Sequence, residues 1–289
     1  MNVVVTLLVR DEIDVIAACL EHHLSEDVAT IIVTDNSSVD GTLEVLQDYE
    51  RAGRILLLRE SGDDFRQSEW VSRMARIAAS DYAADWVLNI DADEFWRASD
   101  PRQGLLDVLA AQSADTGMIV ARRHDLRGRG AIDGGWFHRL KWLDRRTVSE
   151  RGTPLGVKVA HRASVNAVVA MGNHDASGVV GARVDSGVLE IVHVPLRSWQ
   201  QFSRKIRVGG AAVERNSALA EDAAWHWRAD YARLQSGELE AEYWARAPRP
   251  GELFRGLISG RFRRERRLQR TLSSISAALP DRLKQSLAA

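Results

Sequence analysis

Apolar and polar positions alternate in blocks along the first hundred residues. Val3 to Leu8 is a continuous apolar run, suited to a strand covered on both faces, and Ile13, Ile16, Ala17, Leu20 and Leu24 then recur at helical spacing. The same alternation predicts strands at Thr30 to Thr34, Ile55 to Leu58 and Trp86 to Ile90, with helices at Thr42 to Tyr49 and Phe65 to Ser80. A repeat of this kind builds a mostly parallel sheet with right-handed crossovers and helices on both faces. The expected fold class is therefore α/β, and ligands of such sheets sit at the carboxyl ends of the strands.

After Pro101 the alternation weakens. Gly117 to Arg122, Val157 to His161, Val165 to Ala170 and Val188 to Val194 read as strands, separated by a glycine-, arginine- and tryptophan-rich stretch from Arg127 to Gly156. From Ser198 onward the pattern is helical, interrupted by Pro248 and Pro250. The chain thus divides into a β/α half (1–100), a second half of the same domain (101–210) and a helical C-terminal extension (211–289). Near the end, Leu268, Leu272, Ile275 and Leu279 punctuate a basic segment at spacings of three or four. Such a helix either packs on the domain with a solvated basic face or lies against an anionic membrane surface.

Composition narrows the field. Of 289 residues, 45% are apolar and 27% charged, which excludes a disordered or disulfide-stapled chain. A formal charge of -1 supplies no field toward nucleic acid, so no specific nucleic-acid partner is expected. The lone Cys19 cannot form an internal disulfide and reads as a small core residue. MNVVVTLLVRDE lacks a basic n-region and a cleavage site, and nowhere do about 18 apolar residues run together. A cytoplasmic protein is expected, with peripheral contact at the inner face of the membrane resting on the basic tail.

The most informative segment is Asp85-Trp-Val-Leu-Asn-Ile-Asp-Ala-Asp-Glu-Phe-Trp96. A buried strand ends in Asp91, Asp93 and Glu94, placing three carboxylates at the ligand-binding edge. Clustered carboxylates repel one another unless a cation neutralises them, and hard oxygen donors select Mg²⁺ or Mn²⁺. Asp35, at the end of the second strand, can accept hydrogen bonds from a nucleoside. A dinucleotide-binding dehydrogenase fails as the explanation, because the first strand runs into Leu8-Val-Arg-Asp-Glu12 with no glycine to bare the backbone. Asp40-Gly-Thr42 reads as a turn and helix start.

Taken together, Val9-Arg-Asp-Glu12, Asp35-Asn-Ser-Ser-Val-Asp-Gly-Thr42, Gln67 with Trp70, and the D-x-D-E-F core at Asp91 to Phe95 resemble the family 2 type of glycosyltransferases with a GT-A fold. His193-Val-Pro-Leu-Arg-Ser-Trp-Gln-Gln-Phe202 and Lys205 are similar to the late block of a bacterial subgroup with that core. The resemblance implies transfer of a sugar, with inversion, from a UDP- or GDP-sugar to a glycan, lipid-linked or small-molecule acceptor. By the same resemblance Val9, Arg10, Glu12 and Asp35 would line the nucleoside pocket, with Arg73 among the donor contacts. Asp91 would face the ribose or the outer shell of a Mn²⁺ or Mg²⁺ ion, Asp93 would hold that ion directly, and His193 would be a further ligand.

The acceptor hydroxyl needs a general base. Asp175, in Gly172-Asn-His-Asp175, lies about where this fold places one, with His174 as orienter or alternative; Asp125 and Glu150 compete. Gly-Asn-His-Asp also occurs in binuclear metallophosphoesterases, but the Asp-x-His and Gly-Asp-x-x-Asp that such a site requires are missing. An aspartyl phosphatase is disfavoured because Phe95 stands at the threonine position of its motif. Trp136 and Trp142, with Arg139 and Lys141, fall where aromatic faces could stack on a sugar, whereas Trp225, Trp227 and Trp244 read as packing residues. The alternative to an enzyme is a nucleotide-sugar-binding protein on the same scaffold without turnover.

Overall fold

The computed structural model describes residues 1–62, 66–146, 155–215 and 224–278. Its first part follows the periodicity: β1 (Val3–Val9), α1 (Ile16–Leu24), β2 (Thr30–Asp35), α2 (Thr42–Arg51), β3 (Ile55–Arg59), α3 (Gln67–Asp81) and β4 (Trp86–Ile90). Then come β5 (Glu94–Ala98), α4 (Leu105–Ala110), β6 (Thr116–Gly128), α5 (Trp136–Arg139), β7 (Leu140–Asp144), β8 (Lys158–Arg162), β9 (Val168–Val169), a 3-10 turn (Met171–Asn173), β10 (Ala176–Ser177) and β11 (Ala182–His193). The chain continues through α6 (Trp199–Arg215), α7 (Trp225–Ser236), α8 (Leu239–Ala245), α9 (Pro250–Ile258), β12 (Phe262–Arg264) and α10 (Arg267–Ala278).

The four strands of the β/α repeat are parallel in the order β3-β2-β1-β4. Beyond β4 the sheet continues through β8, β6, β7 and β12 by antiparallel pairing, and β11 runs parallel to β6 while pairing antiparallel with β5. This is the α/β fold expected, with the first four strands all parallel and the later pairings antiparallel apart from β11 with β6. β1 shows why it is covered on both sides. Val3, Val5 and Leu7 face the core packed by α1 and α2, whereas Val4 faces the second core, where Met74 and Ala75 of α3 lie.

Several elements depart from the periodicity. The helix expected from Phe65 begins at Gln67, and Phe65 itself lies outside the described residues. The strand expected over 165–170 shrinks to Val168–Val169. Strand β5 was hidden because Glu94 and Arg97 interrupt its apolar run, yet all five of its residues are buried. Within the tail, Leu268 and Leu272 are buried in the main core, and α10 packs on α1. Of the two readings of that basic helix the packed one holds, while Leu279 falls outside the described residues. No helix among the described residues is long and apolar enough to cross a membrane. Cys19 is buried, as its size suggested.

Candidate active site

Because β1 leads to β2 on one side and β4 lies on the other, the strand order reverses between β1 and β4, which is where open α/β sheets bind ligands. The loops leaving β1 and β2 are tied together at that edge. The Asp11 N–H donates to Ser38 Oγ (3.0 Å), Val39 N–H to Asp11 Oδ1 (2.8 Å) and Glu12 N–H to Thr42 Oγ1 (2.9 Å). Asp40 accepts from both the N–H and the hydroxyl of Thr42, the turn expected there. Val9 is buried in the strand and Arg10 stands at the strand end beside it.

Asp35 ends β2 in full burial. Its Oδ2 accepts the Ser38 N–H (3.2 Å), but its Oδ1 is buried with no hydrogen-bond partner among the described residues. A carboxylate oxygen left so is costly unless something donates to it. Arg73 pairs with Glu60 at 2.6 Å, and the Glu60 N–H donates to the Asp35 carbonyl, so both lie along the same edge.

The three carboxylates after β4 each have an internal cation. Lys158 Nζ, buried on β8, reaches Asp91 Oδ2 at 2.6 Å and Glu94 Oε1 at 3.3 Å. Asn173 Nδ2 donates to the other Asp91 oxygen at 3.2 Å. On the far side, Lys205 Nζ reaches Asp93 Oδ2 at 2.8 Å and Glu12 Oε1 at 3.3 Å. Buried Arg197 binds Glu12, holds Asp14 Oδ2 at 2.7 Å and approaches Asp93 Oδ2 at 3.5 Å. Burial alone would raise the Asp93 pKa, but Lys205, His193 and Arg197 reverse it and hold Asp93 well below the ordinary carboxylate range. In Glu12 burial wins over Arg197 and Lys205, and its pKa is raised.

His193 ends β11 level with Glu94 of β5 and Asp125 of β6. Its Nδ1 bonds Asp125 Oδ1 at 2.8 Å, and its Nε2 stands 3.7 Å from Asp93 Oδ2. Burial and Arg123 oppose its protonation, yet Asp93 and Asp125 outweigh them and raise its pKa.

A divalent cation does not fit this arrangement. Lys158 engages Asp91 Oδ2, Lys205 and Arg197 crowd Asp93 Oδ2, and among the described residues no group of three His, Cys, Asp or Glu side chains is placed to hold a metal. Asp93, expected to hold a metal directly, pairs with Lys205 inside the protein, and Glu12, expected to line the nucleoside pocket, pairs with Arg197 and Lys205. Asp91 keeps 39% of its side chain exposed and Lys205 keeps 30%, so these two face the crevice.

The Gly-Asn-His-Asp segment enters from a small hairpin. Ser68 Oγ on α3 donates to the Val169 carbonyl (2.5 Å), Ser72 Oγ accepts the Val169 N–H (2.8 Å), and Gln67 Oε1 accepts the Gly172 N–H (3.1 Å). This clamp explains Gln67, while Trp70 is simply buried. Gly172 (φ 75°) and Asn173 (φ 60°) both lie in the left-handed region, and the turn they make aims Asn173 at Asp91. His174 Nδ1 bonds the Val157 carbonyl at 2.6 Å rather than Asp175, so it tethers the turn to the strand carrying Lys158. Asp175 is exposed at the rim, paired with Arg183 at 2.9 Å. Asp125 is spent on His193 and Arg127, and Glu150 lies outside the described residues.

Trp136 is a core residue, donating from Nε1 to the Asp14 carbonyl at 2.9 Å, and Arg139 donates to the carbonyls of Arg129 and Arg197. Neither is placed to stack on or bind a sugar. Sequence reasoning assigned no role to Lys158, Asn173, Arg197 or Lys205. For Lys158 a signal existed, since a lone lysine in the apolar strand Val157-Lys-Val-Ala160 has to be paired if it is buried.

Residues 3–146 match the model for glycosyl transferase family 2. A comparison with curated proteins found no match. Among solved structures, S. aureus TarS 1–349 in complex with UDP-GlcNAc is 13% identical, with a TM-score of 0.45 over 100% of this chain and 84% of that one. Glucosyl-3-phosphoglycerate synthase from Mycobacterium tuberculosis, in complex with Mn²⁺, UDP and glucosyl-3-phosphoglycerate, is 19% identical, with a TM-score of 0.29 over 43% of this chain and 44% of that one. TM-scores this low carry no inference of substrate or cofactor to this chain.

Proposed function

Because the chain belongs to glycosyl transferase family 2 through residues 3–146, we propose that it transfers a sugar from a UDP- or GDP-sugar to a hydroxyl of a glycan, lipid-linked or small-molecule acceptor, with inversion at the anomeric carbon. The observation that carries this reading is the pair Asp91 and Lys205, partly exposed at the β1/β4 reversal while their partners Asp93, Glu94, Glu12 and Lys158 are buried. The unpartnered Asp35 oxygen suits a ribose hydroxyl. An ammonium has three donors, of which Asp93 and Glu12 engage two on Lys205, leaving one to meet a phosphate oxygen. Charge that develops on the departing nucleoside diphosphate would be stabilised there. The acceptor oxygen attacks the anomeric carbon from the opposite face as the bond to the diphosphate breaks, and its proton passes to Asp175, which Arg183 holds in place. The Mn²⁺ or Mg²⁺ implied by the resemblance has no part in this scheme, since Lys158 and Lys205 already neutralise Asp91 and Asp93 through one oxygen of each.

Mass-spectrometric assay of UDP- and GDP-sugars against a panel of acceptors tests the reading. Asp175→Asn is expected to keep nucleotide binding by calorimetry and lose transfer. Retained turnover would move the base elsewhere, and donor binding without turnover in the wild type across the panel would leave a nucleotide-sugar-binding protein.

A further inference from the structure

Helix α9 sits on the domain by one side only. Gly256 is its buried residue, and a Cβ there would come within 2.2 Å of the Phe262 ring, so the bare backbone is what lets the helix lie on β12. Successive residues turn about 100°. Phe254, Leu257 and Ile258 therefore share the arc opposite Gly256, and they are 66%, 43% and 74% exposed. Three large apolar side chains presented together to water mark an interaction surface.

Charge decides what it meets. Residues 249–270 contain eight arginines against Glu252 and Glu265. Both acids are already paired: Glu252 with Arg261 at 2.8 Å, and Glu265, buried, with Arg97. Arg255 is exposed beside the apolar arc, Arg249 precedes the helix, and Arg264 is exposed on β12, the strand on which the helix lies. An apolar arc rimmed by cations, with local acids already neutralised, complements a surface that is apolar beneath and anionic at its boundary.

We propose that α9 docks on an anionic lipid surface, Phe254, Leu257 and Ile258 entering the acyl boundary while Arg249, Arg255 and Arg264 meet the headgroups. The surface is thus distinct from α10, whose leucines are spent on the core. The inference stands independently of sugar transfer.

The test is flotation of the full chain with vesicles of phosphatidylcholine alone or mixed with phosphatidylglycerol. Binding is expected to be about tenfold stronger on the anionic vesicles and to fall as salt rises. Phe254→Ser with Ile258→Ser, and separately Arg255→Glu with Arg264→Glu, should each remove it while unfolding temperature holds, all four side chains being exposed. Equal recovery on both vesicle types, or wild-type binding by either double variant, would overturn the proposal. So would light scattering showing a dimer that Phe254→Ser dissolves, since the arc would then be covered by a second copy.

Discussion

Lys205 Nζ and Asp93 Oδ2 stand 2.8 Å apart, with Asp93 only 2% exposed. The ammonium does for this carboxylate what a bound cation would, and it does so from α6, more than a hundred residues along the chain. Nucleotide binding should therefore tolerate chelation. Calorimetric titration of UDP or GDP is expected to give affinities within about threefold in EDTA and in Mn²⁺; a loss of about thirtyfold or more in EDTA would show that an ion displaces the ammonium groups, a difference of roughly 2 kcal/mol.

Lys205 is also the cation facing the crevice, so removing its charge should affect the reaction more than the fold. Lys205→Met is expected to lower kcat/KM about 100-fold, the scale of losing one donor to developing charge. Arg197 remains to balance Asp93 and Glu12 in that variant. Steady-state rates beside a thermal melt check it: a drop in rate matched by unfolding at assay temperature would make the residue merely structural.

The left-handed turn at Gly172 and Asn173 gives a sharper probe. A Cβ at Gly172 would meet the His174 ring at 2.6 Å on a backbone with φ of 75°, and Gly172→Ala should cost about 1–3 kcal/mol locally. Asn173→Gly removes the donor to Asp91 without that strain, since glycine adopts φ of 60° freely. Both are expected to reduce turnover while leaving global stability within about 1 kcal/mol for Asn173→Gly, measured by urea unfolding.

How far the chain announces this site depends on where the charges come from. The edge itself was legible, because the strands Thr30 to Thr34 and Trp86 to Ile90 run directly into Asp35 and Asp91, and the ordered motifs carried the family. The partners were not. Lys158 and Lys205 lie on β8 and α6, and nothing in local spacing says that either meets Asp91 or Asp93. A carboxylate cluster therefore suggested a metal when the counter-charge was supplied by distant side chains. Strand β5 escaped for a related reason: Arg97 looks like a surface residue until Glu190 and Glu265 are brought to it.

Acid should weaken the fold through His23. Burial in a dry interior drops its pKa to about 4, outweighing the Cys19 carbonyl that accepts from Nδ1 and favours protonation, while Nε2 accepts the Trp96 N–H. A folded pKa below the unfolded value of about 6.5 means stability is complete above about pH 6.5 and lost as pH falls toward 4. Urea unfolding is expected to show a decline of the order of 2 kcal/mol between about pH 7.5 and about pH 5 from this residue. His23→Gln should flatten that slope.

Arg97, 2% exposed, is held bidentately by Glu265 at 2.8 and 3.0 Å and by Glu190. Glu265→Ala strands a buried guanidinium, and a loss of about 3–5 kcal/mol is expected in denaturant titration. A change below about 1 kcal/mol would show that water reaches Arg97.

The same three attachments set a limit on dissection. Arg97, Asp93 and Glu12 all lie within residues 3–146, yet their counter-ions Glu265, Lys205 and Arg197 come from beyond residue 146. Excised at its recognised boundary, the segment would carry bare opposite charges into its own interior, so the remainder of the polypeptide is no appendage: it completes the neutrality that lets the first part exist.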